Sequence, residues 1–195
     1  SVVFQPISLS FLCIFVGCTK IDEEPAKTRF ELANKLSANM LAEPRTAKLK
    51  KAIEAVYNTS VGMKFPDFEG VDIVGGTVRL SDYAGKGKYI LLDFWSTSCG
   101  PCRRAFPRIR DLYEKLGGDR FDVVGVPVWE KVGLSKETIK ENNLTWRNIL
   151  GTEESAAELY GVTFVPTYLL LAPDGTIIVR GDLSEIEPII RKLAR

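Results

Sequence analysis

The sequence predicts an α/β fold with a helical segment added in front, and three observations carry that reading. Tyr89-Ile90-Leu91-Leu92-Asp93-Phe94-Trp95 and residues 121–128 are near-continuous apolar runs, as central strands buried on both faces should be. The segment between them reads as a helix, giving a βαβ unit. After an inserted helix and strand, the chain closes with a helix, a β-hairpin and a last helix.

In chain order, residues 2–16 are mostly apolar, about the length of a signal-peptide core and too short for a comfortable membrane span. They run into Phe15-Val16-Gly17-Cys18 and then the polar Thr19-Lys20-Ile21-Asp22-Glu23-Glu24. This resembles a bacterial lipoprotein signal. The resemblance implies that residues 1–17 are removed and that Cys18 carries the lipid. The protein would then be anchored in the cell envelope, facing the periplasm or cell exterior, where disulfides persist. Residues 27–40 and 46–57 place apolar side chains at helical spacing on either side of Pro44, so 18–60 reads as a charged helical spacer or cap.

The main domain is expected over 61–195. Val71-Asp72-Ile73-Val74 and Thr77-Val78-Arg79-Leu80 flank Gly75-Gly76, a two-residue hairpin signal. The helix after Cys99 should reach about Leu116, with Pro107 kinking it and Gly117-Gly118 ending it. Residues 135–142 and 145–150 form a central αβ insert, and 153–160 another helix. Residues 167–172 and 176–180 pair across Pro173-Asp174-Gly175. Ser184 should open the final helix, with Glu187 completing a capping box.

The composition, 45% hydrophobic and 26% charged, suits one globular domain with extensions. A formal net charge of +1 gives no bias toward nucleic acid. Histidine is absent, which removes Ser-His-Asp and Cys-His nucleophiles and most zinc sites. With no second Cys-x-x-Cys, a complete zinc site would need carboxylates or a second chain, so no metal or cofactor is expected.

The chemistry concentrates in Cys99-Gly100-Pro101-Cys102, where a buried strand gives way to a helix. Two cysteines three apart can close a disulfide within one turn. So short a loop does little to constrain the unfolded chain, so the spacing argues for redox work over stapling. The helix start supplies free N–H groups and a positive dipole end, and Arg103 and Arg104 follow. All of these favour a thiolate on Cys99. Asp93, six residues upstream inside the apolar strand, should have a raised pKa suited to taking the Cys102 proton.

Asp93-Phe94-Trp95-Ser96-Thr97-Ser98-Cys99-Gly100-Pro101-Cys102-Arg103 resembles the thioredoxin active-site segment, and Val165-Pro166-Thr167 resembles that family's cis-proline loop. The similarity runs over 61–195. The insert between Val128 and Glu153 makes the chain more similar to the TlpA/ResA type. Gly62-Met63-Lys64-Phe65-Pro66-Asp67-Phe68 and residues 80–88 are similar to extracytoplasmic members from Bacteroides-like bacteria.

The resemblance implies a thioredoxin fold, a central mixed sheet flanked by helices, and a disulfide reductase. Cys99 would attack and Cys102 resolve. Asp93, matching the buried acid of thioredoxin, would relay the proton, although many TlpA-type proteins place an acid near the position of Ala105. Val165 and Pro166 would present backbone to the substrate, with Ser98 and Trp95 beside it, Ser98 replacing the usual aromatic. Trp95 and Phe94 also suit core positions beneath the site. Trp129-Glu130 could line the active-site face, Glu130 as a second acid. The implied partners are disulfide-containing client proteins and a membrane electron donor. Two rival functions fit the residues less well. A peroxiredoxin-type peroxidase would need Pro-x-x-x-Thr-x-x-Cys, whose Pro and Thr positions hold Leu92 and Ser96. A non-catalytic client-binding module would have no use for the cysteine pair.

Overall fold

The computed structural model describes residues 23–152 and 154–194, so the lipoprotein-like segment and Cys18 lie outside the described residues. Three helices come first: α1 (Glu23–Ala33), α2 (Ala38–Leu41) and α3 (Pro44–Asn58). The helical pattern over 27–40 is therefore divided. Ser37 caps α2, its side chain accepting the Met40 N–H, and Pro44 opens α3 where a missing N–H costs nothing. The ring of Phe30 stacks on Tyr57 at 4.2 Å, joining α1 to α3.

Strands β1 (Glu69–Val71) and β2 (Thr77–Arg79) pair antiparallel with Val71 opposite Thr77. Their connection is a five-residue loop, not the two-residue turn that Gly75-Gly76 advertises. Asp72 is the reason: its Oδ1 accepts from the N–H groups of Val74, Gly75 and Gly76, which curls the chain before it can pair.

The main sheet has five strands in the order β5-β4-β3-β6-β7, once the members are numbered along the chain. They are β3 (Tyr89–Trp95), β4 (Phe121–Pro127), β5 (Arg147–Asn148), β6 (Thr167–Leu171) and β7 (Ile177–Gly181). β3, β4 and β5 run parallel, while β6 and β7 add antiparallel. Helices α4 (Gly100–Leu116), α5 (Val132–Glu141), α6 (Ser155–Leu159) and α7 (Leu183–Leu193) complete the order. Helix α4 is continuous through Pro107 and ends at Gly117, as its glycine pair requires.

The capping box expected at Ser184 is absent. Asp182 occupies the N-cap of α7, and Glu187 instead accepts from Arg108 on α4 and Arg191. Alternation along β3 divides the core in two. Leu91 and Trp95 face Cys102, Phe106 and Ile109 of α4, while Ile90, Leu92 and Phe94 face Phe68, Leu80 and Tyr160 on the other side. The β7 edge is covered by residues 62–65, through Gly62 N–H to Ile177 O at 2.8 Å and Ile177 N–H to Met63 O at 2.8 Å.

Candidate active site

Cys99 is the N-cap of α4, at the end of a turn closed by its own N–H on Ser96 O at 3.0 Å. Its sulfur is bonded to Cys102 at 2.07 Å and also accepts the Cys102 N–H at 3.1 Å. Pro101 sits in the first turn, where its ring is tolerated and the N–H it lacks is not needed. One helical turn separates the two sulfurs in environment: Cys99 is half-buried, whereas Cys102 is 1% exposed against Trp95 and Phe106. That asymmetry lets an outside disulfide reach only Cys99.

Val165 O lies 3.5 Å from the Cys99 sulfur, and the Val165–Pro166 peptide is cis. In the disulfide this sulfur carries no hydrogen, so the approach becomes a hydrogen bond only in the thiol form. Both residues are half-buried, and the preceding Phe164 is 66% exposed. Phe164 has no signal in the sequence, since a lone aromatic before a proline carries no pattern.

Ser98 is exposed, and its hydroxyl pairs with Ser96 Oγ at 3.1 Å. Trp95, expected beside the substrate and also as a core residue beneath the site, is fully buried, so the first expectation is corrected and the second stands. It packs edge-on against Phe106 at 5.5 Å and supports the site from beneath, because a strand residue of this register faces the α4 side of the sheet. Arg104 bends its guanidinium back over the first turn, 3.4 Å from where a Cβ on Gly100 would lie.

Asp93 is 1% exposed, and neither carboxylate oxygen has a hydrogen-bond partner among the described residues. Its neighbours across the sheet are Gly125 and Tyr168, one with no side chain and the other with a buried, unpaired hydroxyl. Burial pushes the Asp93 carboxyl up to about 8. It shares the face of Leu91 and Trp95 against which Cys102 packs. Trp129 is exposed with φ 60, and Glu130 bonds to Thr97 and Ser135. The link to Thr97 joins segments 33 residues apart, which no local pattern announces.

A family model described as the AhpC/TSA family matches residues 61–180. The thiol-disulfide oxidoreductase ResA of Geobacillus kaustophilus is 34% identical over 137 residues, covering 69% of this chain and 76% of the relative. ResA of Bacillus subtilis is 30% identical over 128 residues, covering 65% and 70%. The solved thioredoxin domain of a thiol-disulfide oxidoreductase from Bacteroides vulgatus is similar at a TM-score of 0.64 and 26% identity, covering 70% of this chain and 99% of that one. The five-stranded mixed sheet with its flanking helices is thus a thioredoxin fold. The chain belongs to the AhpC/TSA family, as a thioredoxin-like thiol–disulfide oxidoreductase.

Proposed function

We propose that the protein reduces disulfides in extracytoplasmic client proteins, cycling Cys99 and Cys102 between dithiol and disulfide. The observation that carries this reading is the contrast between a half-buried Cys99 at a helix N-terminus and a sealed Cys102 on the face of a protonatable Asp93. In the reduced protein the Cys99 thiolate attacks a client sulfur, and the client's other sulfur leaves as a thiolate and takes a proton from solvent. In the fraction of molecules whose Asp93 is ionised, the Cys102 thiol then gives its proton to that carboxylate and attacks Cys99. The client's second sulfur departs, protonates, and leaves the Cys99–Cys102 disulfide behind. Two electrons have moved to the client, and a membrane electron donor returns two.

Val165, whose carbonyl lies 3.5 Å from the Cys99 sulfur, holds the client backbone in this reading, with Pro166 shaping the loop. Disulfide exchange fits better than peroxide chemistry, because Leu92 and Ser96 occupy the two peroxide-activating positions and Leu92 is buried on the opposite side of the sheet. Lipid on Cys18 would hold the domain at the envelope surface, a point that radiolabelled lipid incorporation into the wild type and C18A would check.

The reduction potential of the Cys99–Cys102 pair, equilibrated in thiol buffers and followed by tryptophan fluorescence, tests the direction. A value near about −270 mV supports a reductase, while one near about −120 mV makes the protein an oxidant. C102S should trap a client as a mixed disulfide on Cys99, and C99S should trap none.

A further inference from the structure

Glu130 follows β4 at the entrance to α5, and its carboxylate is the hub of a cluster that reaches into the redox loop. The Thr97 N–H donates to Oε2 at 2.6 Å, and the Thr97 hydroxyl donates to Oε1 at 2.9 Å. The Ser135 hydroxyl donates to the same Oε1 at 2.6 Å. Thr97 Oγ1 also lies 2.9 Å from Thr138 Oγ1, and since Thr97 has already given its one proton to the carboxylate, Thr138 is the donor there. Ser135 and Thr138 are both buried.

Every donor on Glu130 is thus neutral, and between them they occupy both oxygens. A carboxylate so engaged is an anchor rather than a free acid. Its negative charge is tied to a residue two positions before Cys99, within about 12 Å of that sulfur by chain reach.

We propose that Glu130 is a positioning residue that fixes the loop leading into Cys99 and sets the couple toward its reducing end. The Thr97 N–H, committed to Glu130, cannot turn to the Cys99 sulfur as an extra donor. The fixed anion also opposes the α4 dipole, Arg103 and Arg104, all of which favour the Cys99 thiolate. A stabilised thiolate favours the reduced form and makes a couple more oxidising, so a carboxylate held here does the reverse. The insert helix α5 reaches the redox loop through Ser135 on this side chain and through Thr138 on Thr97. The inference rests on the reductase reading.

The test compares full-length wild type with E130Q, E130D and T97V. E130Q keeps an acceptor of the same shape but loses the charge. It should shift the equilibrium with glutathione at least threefold toward the reduced protein, a rise of about 15 mV. Its reduced form should show a larger thiolate absorbance at 240 nm at pH 7. T97V keeps the N–H and the charge and should shift the equilibrium less than half as far. E130D keeps the charge on a shorter arm and should leave the equilibrium within twofold while lowering the melting temperature. An unchanged equilibrium in E130Q, or equal shifts in E130Q and E130D, overturns the proposal and leaves Glu130 a merely structural clamp. A wild-type potential in the oxidising range overturns the reductase reading instead, whatever E130Q does.

Discussion

At pH 7 the folded chain keeps a proton on Asp93 that the unfolded chain releases. Burial without a partner pushes the carboxyl from 3.8 up to about 8, and Gly125 and Tyr168 offer it nothing to counter the loss of water. The sign follows from proton counts. Between about pH 4 and pH 8 the unfolded state binds fewer protons, so stability is greatest below the unfolded pKa, falls as pH rises, and levels off above the folded pKa. The cost reaches as much as about 4 kcal/mol by pH 7. D93N should therefore raise stability at pH 7 by roughly 2–4 kcal/mol and flatten its dependence between pH 5 and pH 8, read by urea unfolding. The same change should slow resolution of the mixed disulfide by ~10²-fold, because Cys102 loses its proton acceptor. A D93N chain with the wild-type slope would assign the pH dependence elsewhere. Asp93 was legible as a buried acid from a single carboxylate in an apolar strand. The core position of Trp95 beneath the site was legible too, whereas the role of Glu130 was not, because a contact across 33 residues commits it.

Elements were legible where one pattern ruled and illegible where a side chain competed with it. The apolar runs at β3 and β4 and the glycine pair after α4 stand where periodicity places them. The β1–β2 turn and the α7 cap do not: Asp72 took over three N–H groups, and Arg108 and Arg191 claimed Glu187. The junction of α3 with the end of α6 was equally hidden. There Gly161 has φ +58, and a Cβ on it would lie 2.9 Å from Val56 N and 2.6 Å from Val56 Cγ2. Lys51 pairs with Glu158 beside it at 2.9 Å, an exposed contact that adds little. G161A must accept a strained backbone and push α3 away, so it should destabilise the chain by about 1–3 kcal/mol, against under 1 kcal/mol for K51A. Equal effects in chemical denaturation would mean that α3 does not depend on the close approach.

Over the whole molecule the sheet separates the chemistry from the N-terminal helices. Cys102 packs on the α4 side, while α3 lies against the end of α6 on the other, and Val165 touches both clusters. What joins α3 to the sheet is Arg180 of β7. Its guanidinium donates to Thr59 Oγ1 and Tyr160 O, each at 2.9 Å, and Thr59 Oγ1 in turn donates to Ala55 O at 2.7 Å near the end of α3. Burial pulls the Arg180 pKa down to about 10, still well above neutrality, so the cation stays, held by the Tyr160 and Gly161 carbonyls at the end of α6 and by the Thr59 hydroxyl at the end of α3. Such a lock makes the N-terminal helices part of one folding unit rather than a tethered spacer. All 3 tryptophans, Trp95, Trp129 and Trp146, lie outside α1–α3, so fluorescence reports the sheet domain alone while far-UV circular dichroism also reports those helices. The two signals should unfold together in urea for the wild type. R180A removes the bonds to the Thr59 hydroxyl and to the Tyr160 and Gly161 carbonyls that tie β7 to both helix ends, at a cost of about 2–4 kcal/mol, and should split the transitions, with helical signal lost first. Separate transitions already present in the wild type would return the N-terminal helices to the status of a spacer.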